Sequence, residues 1–150
     1  MCDGVLKVEG SRKRGLMEYS GEKKMLIIRR LRCSECNRIH HELPDVIVPY
    51  KRYNSEAIEN ILSVKPEHAD DCPCELSTAK RLKLWFFLLR KYYEDVMESI
   101  KALQDYDEEI VSLISLLLPL QNYRTFPAGW MKILVRLLVN SNRWVQTRFA

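Results

Sequence analysis

The sequence predicts an α+β fold, in which a small N-terminal β zinc ribbon (residues 1–53) precedes a bundle of about four α-helices (residues 54–150). In residues 24–32, apolar side chains that include Ile27 and Ile28 partly alternate with cations, which is typical of a strand. From residue 54 onward, apolar residues recur at intervals of three and four, which is typical of amphipathic helices. Between the two patterns, Cys33-Ser-Glu-Cys36 has the two-residue gap of a zinc knuckle.

The N-terminal module is expected to be a hairpin with one extended connector. Residues 5–8 predict the first strand, and the basic segment 10–15 is interpreted as the turn. Residues 24–32 predict the second strand, which leads directly into Cys33. Two prolines bracket residues 45–48, which favours an extended connector or an edge strand. A hairpin of this size buries almost no core, so metal binding is expected to supply much of its folding energy.

Four helices are predicted after residue 54, each from an apolar repeat bounded by start and stop signals. Asn54 or Ser55 is expected to cap the first helix, and Ser77 or Thr78 the second. Acidic residues open the third helix, and Pro127 takes the first position of the fourth. The expected spans are 54–65, 77–104, 107–118 and 127–140.

The five cysteines favour a metal site over disulfides, because their number is odd and the start of the chain does not read as a secretion signal. A structural zinc needs four ligands, of which Cys33 and Cys36 supply two. We expect Cys2 to be the third ligand, as part of an N-terminal knuckle that meets Cys33 and Cys36 across the hairpin. An alternative is that a later Cys-x-Cys pair completes an all-cysteine site. The candidate ligands that rank after these three cysteines are Cys72, Cys74, His40 and His41.

Charge is distributed unevenly along the chain. Residues 1–53 hold 12 Lys+Arg against 7 Asp+Glu, residues 54–110 hold 7 against 13, and residues 111–150 hold 5 against 0. Basic ends that flank an acidic middle suggest a polyanionic partner for at least one end. The alternative is that the ends neutralise the middle within one fold.

Residues 27–53 carry a family resemblance. The strings His-His-Glu-Leu-Pro-Asp (40–45) and Pro-Tyr-Lys-Arg-Tyr (49–53) resemble the zinc-ribbon entry of bacterial insertion-sequence transposases. The chain is most similar to an uncharacterised bacterial family of short transposase-like proteins, known as a domain of unknown function. The resemblance covers about residues 1–90, and more loosely 127–150. It implies a ribbon, then a helix-turn-helix-like region (54–90), and a role in binding DNA.

The same resemblance implies roles for individual residues. Cys33 and Cys36 match the second knuckle of the ribbon, whereas only Cys2 matches the first knuckle, which has two cysteines in the family. The segment Ser77–Trp85 is similar to the start of a transposase recognition helix, whose first turn enters the major groove. Trp85 and Phe86 would anchor that helix to the preceding one.

The residues expected to contact nucleic acid are cations of the ribbon and connector, together with the polar first turn of the second helix. Residues 50–53 interleave aromatics with cations, which suits contact with the nucleic-acid backbone or stacking. The alternatives are that the cationic faces are merely solvated and that the tyrosines of 49–53 pack the ribbon onto the helices, which we favour for the tyrosines. The full set is Arg12, Lys13, Arg14, Arg29, Arg30, Arg32, Arg38, Lys51, Arg52, Ser77, Thr78, Lys80, Arg81 and Lys83.

The sequence argues against an enzyme, because it has no phosphate-binding glycine loop, no nucleophile–base constellation and no strands for a catalytic α/β domain after residue 54. We expect a cytoplasmic DNA-binding protein with structural zinc, no catalytic domain and no small-molecule substrate. The alternative is a zinc-stabilised interaction module that forms homo-oligomers through helices 107–140. Attachment of residues 127–140 to a membrane surface ranks last, because that helix has only two cations.

Overall fold

The computed structural model describes residues 4–64, 74–103 and 106–145. Its class is α+β, as predicted, with an antiparallel sheet at the N-terminus followed by helices. The sheet has the order β1-β2-β3, with strands β1 (Leu6–Met17), β2 (Lys23–Cys33) and β3 (Ile39–His41). The helices are α1 (Ser55–Ser63), α2 (Leu76–Ala102), α3 (Glu108–Leu117) and α4 (Trp130–Asn140), with a 3₁₀ helix at Leu120–Thr125 between the last two.

The hairpin is longer than predicted, because the basic segment 10–15 is not a turn. It lies inside β1, which pairs with β2 from Leu6 opposite Cys33 to Met17 opposite Lys23. The only irregularity in this ladder is between Val8 and Gly10. The actual turn follows Met17, where Gly21 has a φ of +84° and donates its N–H to the carbonyl of Glu18 at 3.0 Å.

The connector after β3 folds back onto the sheet and joins it to the helices. Met17 N–H donates to the carbonyl of Arg52 at 3.0 Å, and Asn54 N–H donates to the carbonyl of Met17 at 3.0 Å. Ile47 forms an isolated bridge with Asn54. Behind the connector, Leu16, Ile28 and Ile47 form a small buried cluster. The sheet therefore has an apolar core of its own, which the sequence did not predict.

The first two helices contribute buried faces to one larger core. The Asn54 side chain accepts from Ala57 N–H at 2.7 Å, which confirms the predicted cap of α1. Helix α2 begins at Leu76 after Glu75, so Ser77 and Thr78 lie in its first turn and do not cap it, contrary to the prediction. Trp85 and Phe86 are buried in the same cluster as the apolar residues of α1, as predicted.

The last helix begins later than predicted and is tied to the first. Pro127 precedes α4, which starts at Trp130 because Gly129, with a φ of +89°, interrupts the helical backbone. The Glu59 carboxylate of α1 accepts from Gly129 N–H at 2.8 Å and from Met131 N–H at 3.1 Å. The apolar face of α4 is buried in the core. Within the described ranges, no helix has the length and apolar character needed to cross a membrane.

Candidate nucleic-acid interface

The register of the sheet brings three of the predicted arginines onto one face with a histidine. Arg12 lies opposite Ile28, and Arg30 lies opposite His41. Because opposite residues share a face and alternate residues along a strand do so too, Arg12, Arg14, Arg30 and His41 lie on the face that also carries Ile28. The structure therefore brings together two groups of predicted contacts, the arginines of segment 10–15 in β1 and Arg30 of β2.

A groove of about 280 Å³ opens on this face. Cations form one part of its wall and apolar side chains of the connector form another. Among the described residues, no Asp or Glu lines it. The lining residues are Arg12, Arg14, Ile28, His41, Leu43, Pro49 and Tyr50. We call this the sheet groove.

The electrostatics of the sheet groove disfavour any further positive charge. Partial burial, followed by the charges of Arg12, Arg30 and Arg14, lowers the pKa of His41 below its ordinary 6.5. Partial burial and then Arg12 lower the pKa of the Arg14 guanidinium, which donates to the carbonyl of Lys51 at 3.1 Å. The His41 imidazole is therefore mostly neutral at pH 7. An anion in the groove would relieve the repulsion among the arginines.

A second groove, of about 170 Å³, lies between the connector and the start of α2. It is lined by Tyr50, Arg52, Tyr53, Thr78, Arg81 and Leu82. We call this the helix groove. Arg81 donates to the Thr78 hydroxyl at 3.2 Å, which holds the guanidinium beside the first turn of α2. Since Tyr50 lines both grooves, the ribbon cations and the predicted recognition-helix start form one continuous surface.

Two predicted arginines of β2 are already matched by carboxylates of the chain. Arg29 forms a two-pronged interaction with Glu42, one bond of which is 2.7 Å long. Arg32 contacts Glu9 and also donates to the Asn37 side chain at 2.9 Å. Both pairs are partly exposed to solvent. These guanidiniums are less available to a polyanion than those of the sheet groove.

Two predicted lysines have structural contacts. Lys51 is 4% exposed, its ammonium lies 4.3 Å from the centre of the Trp85 ring, and burial lowers its pKa to about 8. Lys83 donates to the carbonyl of Val64, the residue after α1, at 2.7 Å. The remaining predicted contacts, Lys13, Arg38, Ser77 and Lys80, are exposed and line neither groove.

The candidate metal ligands Cys33 and Cys36 lie at the end of β2 and in the turn that follows. Cys33 is buried and Cys36 is exposed. Asn37, with a φ of +57°, donates its N–H to the carbonyl of Cys33 at 3.1 Å, as a closed knuckle turn requires. A Cβ on Gly4 would lie 2.5 Å from the Cys33 sulfur, so this glycine lets the N-terminal chain pass beside the thiol.

The other candidate ligands do not join this pair within the described residues. His41 faces the arginines of the sheet groove, where a cation would be repelled, and His40 lies opposite Leu31. Cys74 is partly buried against the helical core. Cys2 and Cys72 lie outside the described residues. In the parts of the chain that the structure describes, no group of three or more His, Cys, Asp or Glu residues is arranged to hold a metal ion. The described residues thus fit one half of a zinc site.

Sequence reasoning missed the position of His41 among the arginines, and it left open whether the tyrosines of 49–53 contact nucleic acid or pack against the helices. The tyrosines differ: Tyr53 is half-buried against the helical core, whereas Tyr50 is 57% exposed. The mixture of aromatics and cations at 49–53 was the signal in the sequence for the part of this surface that the connector forms.

Comparison with known proteins adds one match. Residues 1–82 match the family described as Domain of unknown function (DUF6431). Every residue that lines the two grooves lies inside this range. No curated protein and no solved structure matches the chain.

Proposed function

The chain belongs to the DUF6431 family of domains of unknown function, and we propose that it binds DNA through the sheet groove and the helix groove. The observation that carries this proposal is the uncompensated positive charge of the sheet groove. The guanidinium groups of Arg12, which lines the groove, and of Arg30, which lies on the same face of the sheet, form no hydrogen bond or ion pair with any of the described residues. No described carboxylate lines the groove. A clustered set of guanidiniums without matching acids is the signature of a phosphate-binding surface.

The grooves provide phosphate contacts on both sides of the connector. Arg12 and Arg14 line the sheet groove, with Arg30 on the same face of the sheet, and Arg52 and Arg81 line the helix groove. The guanidinium fork matches two phosphate oxygens, and the first turn of α2 adds the positive end of the helix dipole. Phosphate contacts of this kind set affinity and position, whereas base contacts are needed for sequence preference.

We further propose that zinc supports the end of the hairpin and takes no part in binding DNA. Cys33 and Cys36 would hold the ion, with Cys2 as the third ligand. Support comes from the closed turn after β2 and from the close approach of Gly4 to the Cys33 thiol. Arg30 precedes Cys33 by three residues on β2. A metal ion that fixes the end of β2 would therefore hold Arg30 in place beside the sheet groove.

The biological setting that we propose follows from the resemblance to transposase ribbons. The chain would act as a DNA-binding protein similar to the N-terminal part of insertion-sequence transposases, with no catalytic step of its own. Support comes from the surface formed jointly by ribbon cations and by the first turn of α2, which is the segment similar to a recognition helix.

The test compares two double variants in fluorescence anisotropy with labelled duplex DNA. Arg12→Gln with Arg30→Gln removes two charges from the sheet-groove face, whereas Lys101→Gln with Arg124→Gln removes two exposed charges elsewhere. We expect the first variant to lower affinity at least about tenfold at ~50 mM salt, and the second to change it less than about threefold. Equal losses would show that net charge alone drives binding, which would contradict the proposed site.

A second candidate function, a protein-interaction module, rests on an exposed apolar row of α2. Leu84, Phe87 and Leu88 are each more than half exposed, at 52%, 63% and 54%. Exposed rows of large apolar residues are typical of interaction surfaces. This function predicts a mass that rises with concentration in analytical ultracentrifugation, loss of that rise in Phe87→Gln, and no binding of DNA by the wild type.

A further inference from the structure

The backbone of Tyr50 is held in an uncommon conformation. Its φ is +64°, which lies in the left-handed region that aromatic residues rarely occupy. Such conformations persist only where the surrounding structure holds them, and they cluster at functional sites. Tyr50 is 57% exposed, so burial of the residue does not explain the conformation.

The residues on both sides fix the chain around Tyr50. Pro49 before it and Lys51 after it are both buried, and Lys51 lies with its ammonium on Trp85. The Lys51 carbonyl accepts from Arg14 at 3.1 Å, and Lys51 N–H donates to the carbonyl of Val48 at 3.1 Å. The ring of Tyr50 is therefore presented to solvent by a loop that is anchored on each side.

Tyr50 lines both grooves, so arginines and apolar side chains lie around it. Arg12 and Arg14 lie on one side of it, and Arg52 and Arg81 lie on the other. The sheet groove also has an apolar wall next to the ring, formed by Leu43 and Pro49 with Ile28. Phosphates alone would not need an apolar wall, whereas the flat face of a base or a deoxyribose would pack against it.

We propose that Tyr50 is a base-stacking residue and that the preferred ligand is single-stranded DNA, with one unpaired base on the ring and the flanking phosphates in the two grooves. This inference rests on the proposed function, and it narrows the ligand from DNA in general to single-stranded DNA. In a duplex both faces of each base are already covered by neighbouring bases, so the ring gains this contact only from an unpaired nucleotide. Because every base has a π face, such a contact tolerates different sequences.

The experiment uses the full chain with a labelled oligonucleotide of about 12 nucleotides, single-stranded or as a duplex. Tyr50→Asn removes the ring and inserts the residue that, after glycine, best tolerates a positive φ. Tyr50→Phe keeps the ring. We expect Tyr50→Asn to lower affinity for the single strand by about 5- to 150-fold and to change duplex affinity less than about twofold. Tyr50→Phe should bind both like the wild type.

A 2-aminopurine base in the middle of the single strand gives a second readout. Its fluorescence is sensitive to stacking on an aromatic ring, so we expect it to change on binding to the wild type and to Tyr50→Phe. If the wild type binds duplex DNA but this signal stays constant, or if Tyr50→Asn weakens both ligands equally or neither, the stacking role is wrong and the proposed DNA binding stands. If the wild type binds neither ligand, both proposals fail.

Discussion

The contact between Glu59 and the start of α4 gives the most specific prediction about stability. The carboxylate accepts hydrogen bonds from the N–H of Gly129, the cap residue of α4, and from the N–H of Met131 in its first turn. Neither N–H has a partner within the helix. Met131 is fully buried, so water cannot replace the lost acceptor there, whereas Gly129 is half-buried. We therefore predict that Glu59→Ala destabilises the fold.

The magnitude follows from the two bonds. A hydrogen bond to a charged group contributes roughly 1.5–3 kcal/mol, and the negative charge at a helix N-terminus adds about 0.5 kcal/mol. Since water partly restores the bond at Gly129, we expect Glu59→Ala to lower the free energy of unfolding by about 2–4 kcal/mol. Glu59→Gln keeps an oxygen acceptor but loses the charge, so we expect about half of that loss.

The assay is urea denaturation followed by circular dichroism at 222 nm. With a slope of about 2 kcal/mol per molar urea, Glu59→Ala should lower the midpoint by about 1–2 M. Glu56→Ala is the matched control, because Glu56 is an exposed carboxylate on the same helix. A midpoint for Glu59→Ala that matches that of Glu56→Ala would refute the role of Glu59 as a cap for α4.

Two further predictions concern the sheet. His41 has a lowered pKa in the free protein, and bound phosphates would raise it, so DNA affinity should rise as pH falls from about 7 to about 5.5, by at most about tenfold per pH unit. His41→Gln should flatten this profile and His40→Gln should not; an unchanged profile in His41→Gln would contradict the contact. Cys33→Ser, or a zinc chelator, should make residues 1–53 sensitive to trypsin while the helices keep their signal at 222 nm. Cys74→Ser is the control for this loss, and unchanged protection of the N-terminal segment in Cys33→Ser would argue against a metal at the hairpin end.

The sequence predicted those elements whose signals are local. The strand pattern of β2 and the cap of α1 by Asn54 depend on neighbouring residues alone, and both are confirmed. Segment 10–15 was misassigned because two glycines around three cations read as a turn, whereas Gly10 lies at an irregularity of the ladder and the turn falls at Gly21. Strand β3 has three residues, too few for a periodic pattern.

The candidate site could be predicted only in part, because the sequence shows which residues are charged but not which carboxylate pairs with each arginine. Arg12 and Arg14 share a face because they alternate along β1, whereas the sequence had placed them in a turn. The partners of Arg29 and Arg32 depend on register, which placed Glu42 and Glu9 within reach. Similarly, nothing near Lys51 in the sequence indicated that it would be buried on Trp85, a residue 34 positions later.

The salt dependence of duplex binding by the wild type tests the central claim most directly. If about four phosphates are neutralised by the groove arginines, the logarithm of the association constant should fall against the logarithm of salt concentration with a slope of about −4. Affinity would then drop by about 10²-fold between ~50 and ~200 mM salt. Absence of binding at ~50 mM salt, or a slope near zero, would contradict the account.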